Sequence, residues 1–189
     1  RFPLISMCAV LTRNWQASAI ALLTLILRLL PGPRPIDDAY ITFRYARNLA
    51  HGLGLVYNPG ETVLGTSTPL FTLLLASVTA ATELDIPWIA LAVSAAADAV
   101  TALLIYRLAL RLTLPGWSAL LCSLAWSFYP VAFRYAVGGM ETSLASALIL
   151  GAFTLYVSGH QRGAAALAGI AALARPDALA AVFLILLGE

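Results

Sequence analysis

Charge is what this sequence has least of. Charged residues make up only 11% of the 189-residue chain, whereas hydrophobic residues make up 61%. A soluble domain carries about 25% charged residues, so this composition excludes a protein with a water-soluble surface on all sides. Lysine is absent, because all eleven basic residues are arginine. The net charge of +2 is too small for phosphate-backbone recognition, so we expect no nucleic-acid partner.

Cysteine and histidine are scarce, with two of each in the chain. Cys8 and Cys122 lie in apolar stretches, which predicts two buried thiols that pack as small hydrophobic side chains. His51 and His160 are isolated, so we predict solvated side chains. These absences exclude a disulfide framework and a Cys/His metal centre.

Apolar sequence is abundant, in runs that approach the 20 or so residues of a spanning helix. We therefore predict an all-α multi-pass membrane protein, with one transmembrane module over residues 1–189. The predicted spans are 15–31, 87–112, 116–136, 140–158 and 164–188, the last broken at 175–177 by Pro176. Because the chain starts with Arg1 and stops within an apolar pattern, we expect a fragment of a longer protein.

The segment 32–66 between the first two spans is more polar. A helical pattern over 37–51 ends at Gly52. The sequence Asn-Pro-Gly-Glu at 58–61 favours a type II turn within a small hairpin. A second helix is predicted over 68–82, and its length is marginal for crossing a bilayer.

The arginines indicate which side of the membrane this segment faces. If 68–82 lies along the surface, four basic residues share one side, namely Arg13, Arg107, Arg111 and Arg162. If it crosses, Arg107 and Arg111 move to the side of the 32–66 loop. The positive-inside rule favours the first arrangement. We therefore predict two juxtamembrane helices and place 32–86 on the outer face of the inner (plasma) membrane, together with 137–140.

An acidic pair, Asp37-Asp38, begins the 37–51 helix. A carboxylate is stabilised at a helix N-terminus by the free N–H groups and the dipole, and one aspartate suffices for such a cap. A second aspartate at a membrane boundary favours a functional role. The pair is compatible with a divalent metal ion, although two carboxylates are not sufficient for one.

The same helix has one polar face, on which helical spacing places Asp37, Tyr40, Arg44, Arg47 and His51. The opposite row is apolar and consists of Ala39, Phe43, Ala46 and Ala50. Two interpretations stay open. The arginines either snorkel to lipid headgroups from an interfacial helix, or they clamp a lipid phosphate with their planar forks.

Three further charged residues occur in apolar surroundings. Glu141 starts the 140–158 span, either as an acid that complements the helix dipole or as a partner of the acidic pair on the same face. Asp98 lies in mid-span, where acids are costly, and indicates either a site or a hydrogen bond to a neighbouring helix. Arg175 lies in a broken helix, which is tolerated where it lines protein or a watery cavity.

These residues carry a resemblance to a known family. The runs DDAYITFRYARNL at 37–49 and GLGLVYNPGE at 52–61 resemble the first outer loop of bacterial GT-C glycosyltransferases. The nearest resemblance is to the actinobacterial terminal arabinofuranosyltransferase group. Lipid A aminoarabinose transferase and the protein O-mannosyltransferases are more distantly similar. The sequence GMET at 139–142 is similar to the family's later acidic site, ARPD at 174–177 is similar to its basic-proline motif, and the resemblance covers about 15–188.

The resemblance implies inverting transfer of a sugar, with arabinofuranose favoured, from a polyprenyl-phosphate donor to a glycan, lipid or protein acceptor of the cell envelope. Carried over by position, Asp37 is the leading catalytic acid, Asp38 the acid beside it and Glu141 the downstream acid. The donor phosphate is expected at Arg44, Arg47 or Arg175, and substrate at Tyr40. No cofactor is implied apart from the open question of a divalent metal at Asp37 and Asp38, and we expect the fragment alone to be inactive.

The sequence departs from the family at TSTP, residues 66–69, where relatives often carry Asn or a basic residue just before the proline. This departure puts a phosphate contact from Thr68 in doubt. The competing function is a non-catalytic transporter or flippase of lipid-linked glycans. A transporter would show paired inverted repeats with matching broken helices, and the sequence shows one break and no internal repeat.

Overall fold

A computed structural model describes residues 4–61, 63, 65–180 and 183 of the chain. Within that part of the chain, the structure is entirely helical and has no β-strand, which confirms the all-α prediction. The helices are α1 Leu4–Leu29, α2 Asp37–Ala50, α3 Pro69–Thr82, α4 Ile86–Arg111, α5 Gly116–Ser127, α6 Pro130–Val137, α7 Thr142–Val157 and α8 Gln161–Ala174. A short 3₁₀ turn, Pro176–Ala178, follows α8.

Helix length identifies one membrane-crossing candidate among the described residues, namely α4. Helices α5 and α6 qualify only together, as one span bent by 47° at the break before Pro130. Trp15–Leu29 of α1, α3 and α7 are apolar but shorter. The multi-pass arrangement therefore stays a prediction, and the 116–136 run contains a bend that its hydropathy does not show.

The loop between α2 and α3 has the predicted turn but no strand among its described residues. The Glu61 N–H donates to the Asn58 carbonyl at 3.1 Å, and Gly60 has the positive φ that a type II turn needs at this position. The predicted hairpin is wrong for Val56 and Tyr57, because their carbonyls accept hydrogen bonds from the Asn48 side chain instead of a partner strand. Thr62 lies outside the described residues.

Helix α4 is the central helix and packs against α1, α5 and α7. Helix α1 runs antiparallel to α4, since Tyr106 donates a hydrogen bond to Gln16 and Arg28 pairs with Asp98. As a result, α1 ends close to where α4 begins. Helices α2 and α3 therefore lie at one end of the bundle, which we call the α2 end.

The later helices return to the α2 end twice. Ser123 of α5 donates a hydrogen bond to the Ala102 carbonyl, so α5 runs back along α4. Helix α7 runs parallel to α4, and α8 packs on α7 so that Arg175 reaches Thr142. Arg107, Arg111 and Arg162 therefore lie at the opposite end of the bundle, which we call the far end. They are expected there if the 68–82 segment lies along the membrane surface. Arg13 is in the N-terminal half of α1.

Helix α2 is held against the bundle by its apolar row. Ala39, Phe43 and Ala46 are buried in a cluster with residues of α3 and α4. Gly139 allows the Phe43 ring to approach the backbone closely, because a Cβ at position 139 would lie 2.6 Å from Phe43 Cζ. Gly139 also has φ of +76°, a conformation that glycine adopts without steric cost.

The acidic side chain of Asp98 in the middle of α4 is paired with Arg28 of the neighbouring helix α1. Its carboxylate lies 2.6 Å from Arg28 Nε, and both side chains are fully buried. Arg28 also donates to the Ser127 carbonyl at 2.8 Å, which is free because α5 ends at Ser127. The hydrogen-bond interpretation of Asp98 is therefore confirmed.

The prediction of buried thiols is wrong for Cys122, which is exposed on α5. Helix α5 directs its small residues Ala119 and Ser123 inward and leaves the neighbouring positions on its outer side. The side chain of Cys8 lies outside the described residues.

Candidate functional site

The acidic pair is fixed beside Gly138 by main-chain hydrogen bonds. Arg34 N–H donates to the Val137 carbonyl at 2.8 Å, and Ile36 N–H donates to the Gly138 carbonyl at 3.1 Å. Asp37 and Asp38 then begin α2 as exposed residues. Ile36 occupies the N-cap and α2 has no side-chain cap, so the cap interpretation of the pair is wrong. Its carboxylates are not used to close the helix end.

Glu141 lies on the same end of the bundle as the acidic pair, at the N-cap of α7 and just outside that helix. Its carboxyl group is buried, and burial raises the pKa of Glu141 above its ordinary value. A hydrogen bond within Glu141 and the charge of Arg175 oppose that shift, whereas the negative charges of Asp177 and Asp38 add to the rise in pKa. The charge of Asp38 therefore reaches Glu141, but it is the smallest of these effects.

Arg175 contacts both Glu141 and Asp177. We call these three residues, together with the acidic pair Asp37-Asp38, the acidic centre. The Arg175 backbone is extended, as the residue before a proline prefers, and this ends α8. Its Nη1 lies 3.1 Å from Glu141 Oε1 and 3.1 Å from Thr142 Oγ1. Its Nε lies 3.0 Å from Asp177 Oδ1. Two predicted site residues that are 34 positions apart are thus in direct contact.

A cleft of about 300 Å³ opens next to Arg175, between α6, α7 and the turn that follows α8. Its lining combines polar and apolar side chains, namely Tyr135, Thr142, Ala145, Ser146, Ile149, Arg175 and Asp177. The arrangement can hold a molecule that is polar at one end and apolar at the other.

Arg44 is engaged by the loop that follows α2. Its Nε donates to the Tyr57 carbonyl and its Nη2 to Asn58 Oδ1, both at 2.9 Å. The guanidinium also lies over the Tyr57 ring, 4.4 Å from the ring centroid. Two of the three guanidinium nitrogens therefore hold the loop, and a phosphate at Arg44 has to use the remaining one or displace these bonds.

The polar face of α2 is exposed as the spacing predicts. Tyr40, Arg47 and His51 are exposed along it, and the His51 ring bonds the Arg47 carbonyl at 2.8 Å. Beside it lies a groove of about 440 Å³, lined by Tyr40, Phe43, Arg44, Arg47, Asn48, Tyr57 and Pro87. Arg47 lies about 14 Å along the helix axis from Asp38. The Arg47 end of the groove is therefore distant from the acidic pair, whereas Tyr40, which also lines the groove, is two positions from Asp38.

A divalent metal ion finds few protein ligands here. Within the part of the chain that the structure describes, no three His, Cys, Asp or Glu residues are grouped to hold one. An ion bound by Asp37 and Asp38 would need its other ligands from substrate or water.

Apart from Arg175, no residue that lines the cleft was predicted as a site residue. Thr142 and Asp177 belong to the GMET and ARPD motifs, so their positions near Glu141 and Arg175 in the sequence could have indicated that they are part of the site. Tyr135 had no such signal, because its position depends on the bend before α6. Thr68 is buried and its hydroxyl bonds Thr66, which places it away from an exposed phosphate.

Comparisons of the chain with known protein families, with curated proteins and with solved structures find no match. The GT-C resemblance therefore rests on the loop motif, the two short motifs and the order of helices. The acidic centre is the strongest feature from which a function can be argued.

Proposed function

We propose that this chain is the N-terminal membrane module of a GT-C-type glycosyltransferase. It would move a sugar, arabinofuranose by the nearest resemblance, from a polyprenyl-phosphate donor to a cell-envelope acceptor on the outer face. One observation carries the proposal, namely that the exposed acidic pair of α2 lies at the same end of the helical bundle as the ion pair of the buried Glu141 with the partly exposed Arg175.

The distribution of exposed aromatic residues supports a multi-pass arrangement. Tryptophans are exposed at both ends of the bundle, Trp15 and Trp117 at the far end and Trp88 at the α2 end. Tryptophan is enriched at membrane interfaces. On α4, Trp88 and Arg107 are about 28 Å apart along the helix axis, close to the 30 Å or so of a bilayer core. We assign the spans to α1, α4, the bent α5–α6 pair, α7 and α8.

Charge at the two ends supports the orientation. Arg107, Arg111 and Arg162 lie at the far end, whereas every described acidic residue except Asp98 lies at the α2 end. Arg34, Arg44 and Arg47 lie at the α2 end as well, so the orientation rests on the described far end having arginines without acidic residues. We infer that the far end faces the cytoplasm and the α2 end faces outside. Polyprenyl-phosphate sugars on the outer leaflet would meet the acidic centre there.

The proposed reaction is a single inverting displacement. Asp37 accepts the proton of the acceptor hydroxyl while its oxygen forms a bond to the anomeric carbon. The bond from that carbon to the phosphate oxygen breaks, and the electron pair leaves with the polyprenyl phosphate. Arg175 lies at the cleft and stabilises the charge on the phosphate. Asp37 is favoured as the base because it heads the exposed face with Tyr40.

One observation favours the flippase alternative and another argues against it. A second broken helix is present, since α5 and α6 meet at 47°. However, α5 and α8 both run toward the α2 end, so their breaks are not related as an inverted pair. Catalysis therefore explains the described residues better, because a flippase leaves the acidic centre without a role.

The test is sugar release from a radiolabelled polyprenyl-phosphate donor by the full-length protein in membranes. Asp37→Asn should lower transfer by about 100- to 10,000-fold, the range for losing a general base, with normal expression and insertion. Asp85→Asn is the matched control, because it removes an exposed aspartate from the same end. Wild-type transfer by Asp37→Asn would remove Asp37 from the mechanism, and donor movement across the bilayer without sugar release would favour the flippase.

A further inference from the structure

Arg175 is bound by two carboxylates of very different exposure. The Glu141 side chain is 7% exposed, whereas the Asp177 side chain is 67% exposed. Glu141 contacts Nη1, and Asp177 contacts Nε with both oxygens, at 3.0 and 3.2 Å. The guanidinium is therefore shared by an inner and an outer carboxylate.

The two ion pairs differ in how readily they break. An exposed ion pair contributes little to stability, because water solvates the separated groups. Glu141 is almost fully buried, so separating it from Arg175 would leave a buried carboxylate unpaired, which costs much more. An anion that approaches Arg175 from solvent can therefore replace Asp177 while Glu141 stays bound.

The cleft at Arg175 indicates what kind of anion fits. Thr142, Ala145, Ser146 and Ile149 lie on one face of α7 at helical spacing. The hydroxyl of Thr142 is at the charged mouth with Arg175, and Ile149 is about 10 Å farther along the helix. An anionic head at Arg175 would thus continue into an apolar chain along Ala145 and Ile149.

We propose that Asp177 is an internal stand-in for the phosphate of an alkyl phosphate and is displaced when that ligand binds. The phosphate takes the place of the Asp177 oxygens on Arg175 Nε and accepts a hydrogen bond from Thr142, and the chain lies along α7. This inference rests on the proposed function. Within that function, Asp177 is a residue that determines which ligand binds at Arg175. A ligand has to compete better than a carboxylate for Arg175, as a phosphate with its extra charge and oxygens does.

The proposal is tested by equilibrium binding of decyl phosphate and of inorganic phosphate to the full-length protein in detergent micelles. Asp177→Asn should tighten decyl phosphate binding by about 3- to 10-fold, because it removes the competing carboxylate. Asp85→Asn, with the same loss of charge at the same end, should leave the affinity unchanged. Arg175→Gln should weaken binding at least 10-fold, and its circular dichroism should match that of the wild type.

Unchanged or weaker decyl phosphate binding in Asp177→Asn would overturn the proposal. Equal affinity for inorganic and decyl phosphate would also overturn it, because the apolar wall would then have no part in recognition. The binding measurement needs no sugar transfer. Tighter binding in Asp177→Asn without transfer by the wild type would therefore refute the glycosyltransferase and keep the alkyl-phosphate site.

Discussion

At the scale of single residues, the structure divides the basic groups of α2 by what they contact. Arg44 and Arg47 are equivalent in the sequence, three positions apart on one face. Arg44 holds the loop through Tyr57 and Asn58, whereas Arg47 is exposed beside the groove. A periodic pattern identifies the face, but it does not show that the loop returns to it.

Arg44→Ala is expected to loosen the loop that follows α2. The substitution removes two hydrogen bonds and the contact with the Tyr57 ring, so amides of residues 53–61 should exchange with solvent at least 5-fold faster. Hydrogen exchange measured by mass spectrometry checks this. Arg47→Ala removes the same charge and should leave exchange in the loop as in the wild type. Equal exchange in both variants would contradict the role of Arg44.

Removing one partner of the buried Arg28–Asp98 pair should destabilise the bundle. Asp98→Leu leaves Arg28 buried without its carboxylate, at an expected cost of about 3–5 kcal/mol. Thermal unfolding in detergent measures this loss. The double variant Arg28→Met with Asp98→Leu should recover most of it, because no unpaired charge is then buried. A double variant as unstable as the single one would show that the pair has another role.

At the scale of helices, the sequence predicts α2 and α3 within one residue at each end. Gly52 and Pro69 mark these boundaries, and each acts locally through backbone conformation. The break at Phe128–Tyr129 was missed although Pro130 marks it, because the hydropathy of 116–136 is continuous across it. Local signals fix helix ends well, and Pro130 is such a signal, but they do not give the angle at which two helices meet.

Gly139→Ala is expected to disturb the docking of α2. An alanine here meets Phe43 Cζ at 2.6 Å and also has an unfavourable positive φ. Gly60→Ala is the matched control, because Gly60 has a positive φ of 88° but open space around its Cβ. We expect Gly139→Ala to cost about 1–3 kcal/mol more than Gly60→Ala. Thermal unfolding and hydrogen exchange of residues 39–46 compare the two, and equal effects would contradict the close approach.

At the scale of the whole molecule, the up-and-down order of the helices assembles the candidate site. Asp38, Glu141 and Arg175 come from distant parts of the sequence and lie at one end of the bundle, where Glu141 and Arg175 are in direct contact. Counting apolar runs and arginines was enough to predict that Asp38 and Glu141 share one end, whereas Arg175 was predicted in the middle of the last span. Such counting was not enough to predict that Arg175 bridges Glu141 and Asp177, since side-chain contacts depend on the bend and the break.

The two ends of the bundle should face opposite sides of the membrane. In the full-length protein with its native cysteines replaced by serine, Glu61→Cys should react with a membrane-impermeant maleimide in intact cells. His160→Cys, at the turn between α7 and α8, should react only after permeabilisation. Both positions are exposed, so accessibility within the protein does not differ. Labelling of position 160 in intact cells would refute the orientation.

The buried ion pair also has a consequence for biogenesis in a membrane-inserted chain. Arg28 is made 70 residues before Asp98, so at about 5–20 residues per second it waits roughly 4–14 s for its partner. It lies one residue from the end of α1, where a long arginine side chain can stay among headgroups by snorkelling. In the proposed membrane arrangement, the first helix would therefore be able to enter the bilayer alone, and its charge would move inward only when the fourth helix arrives.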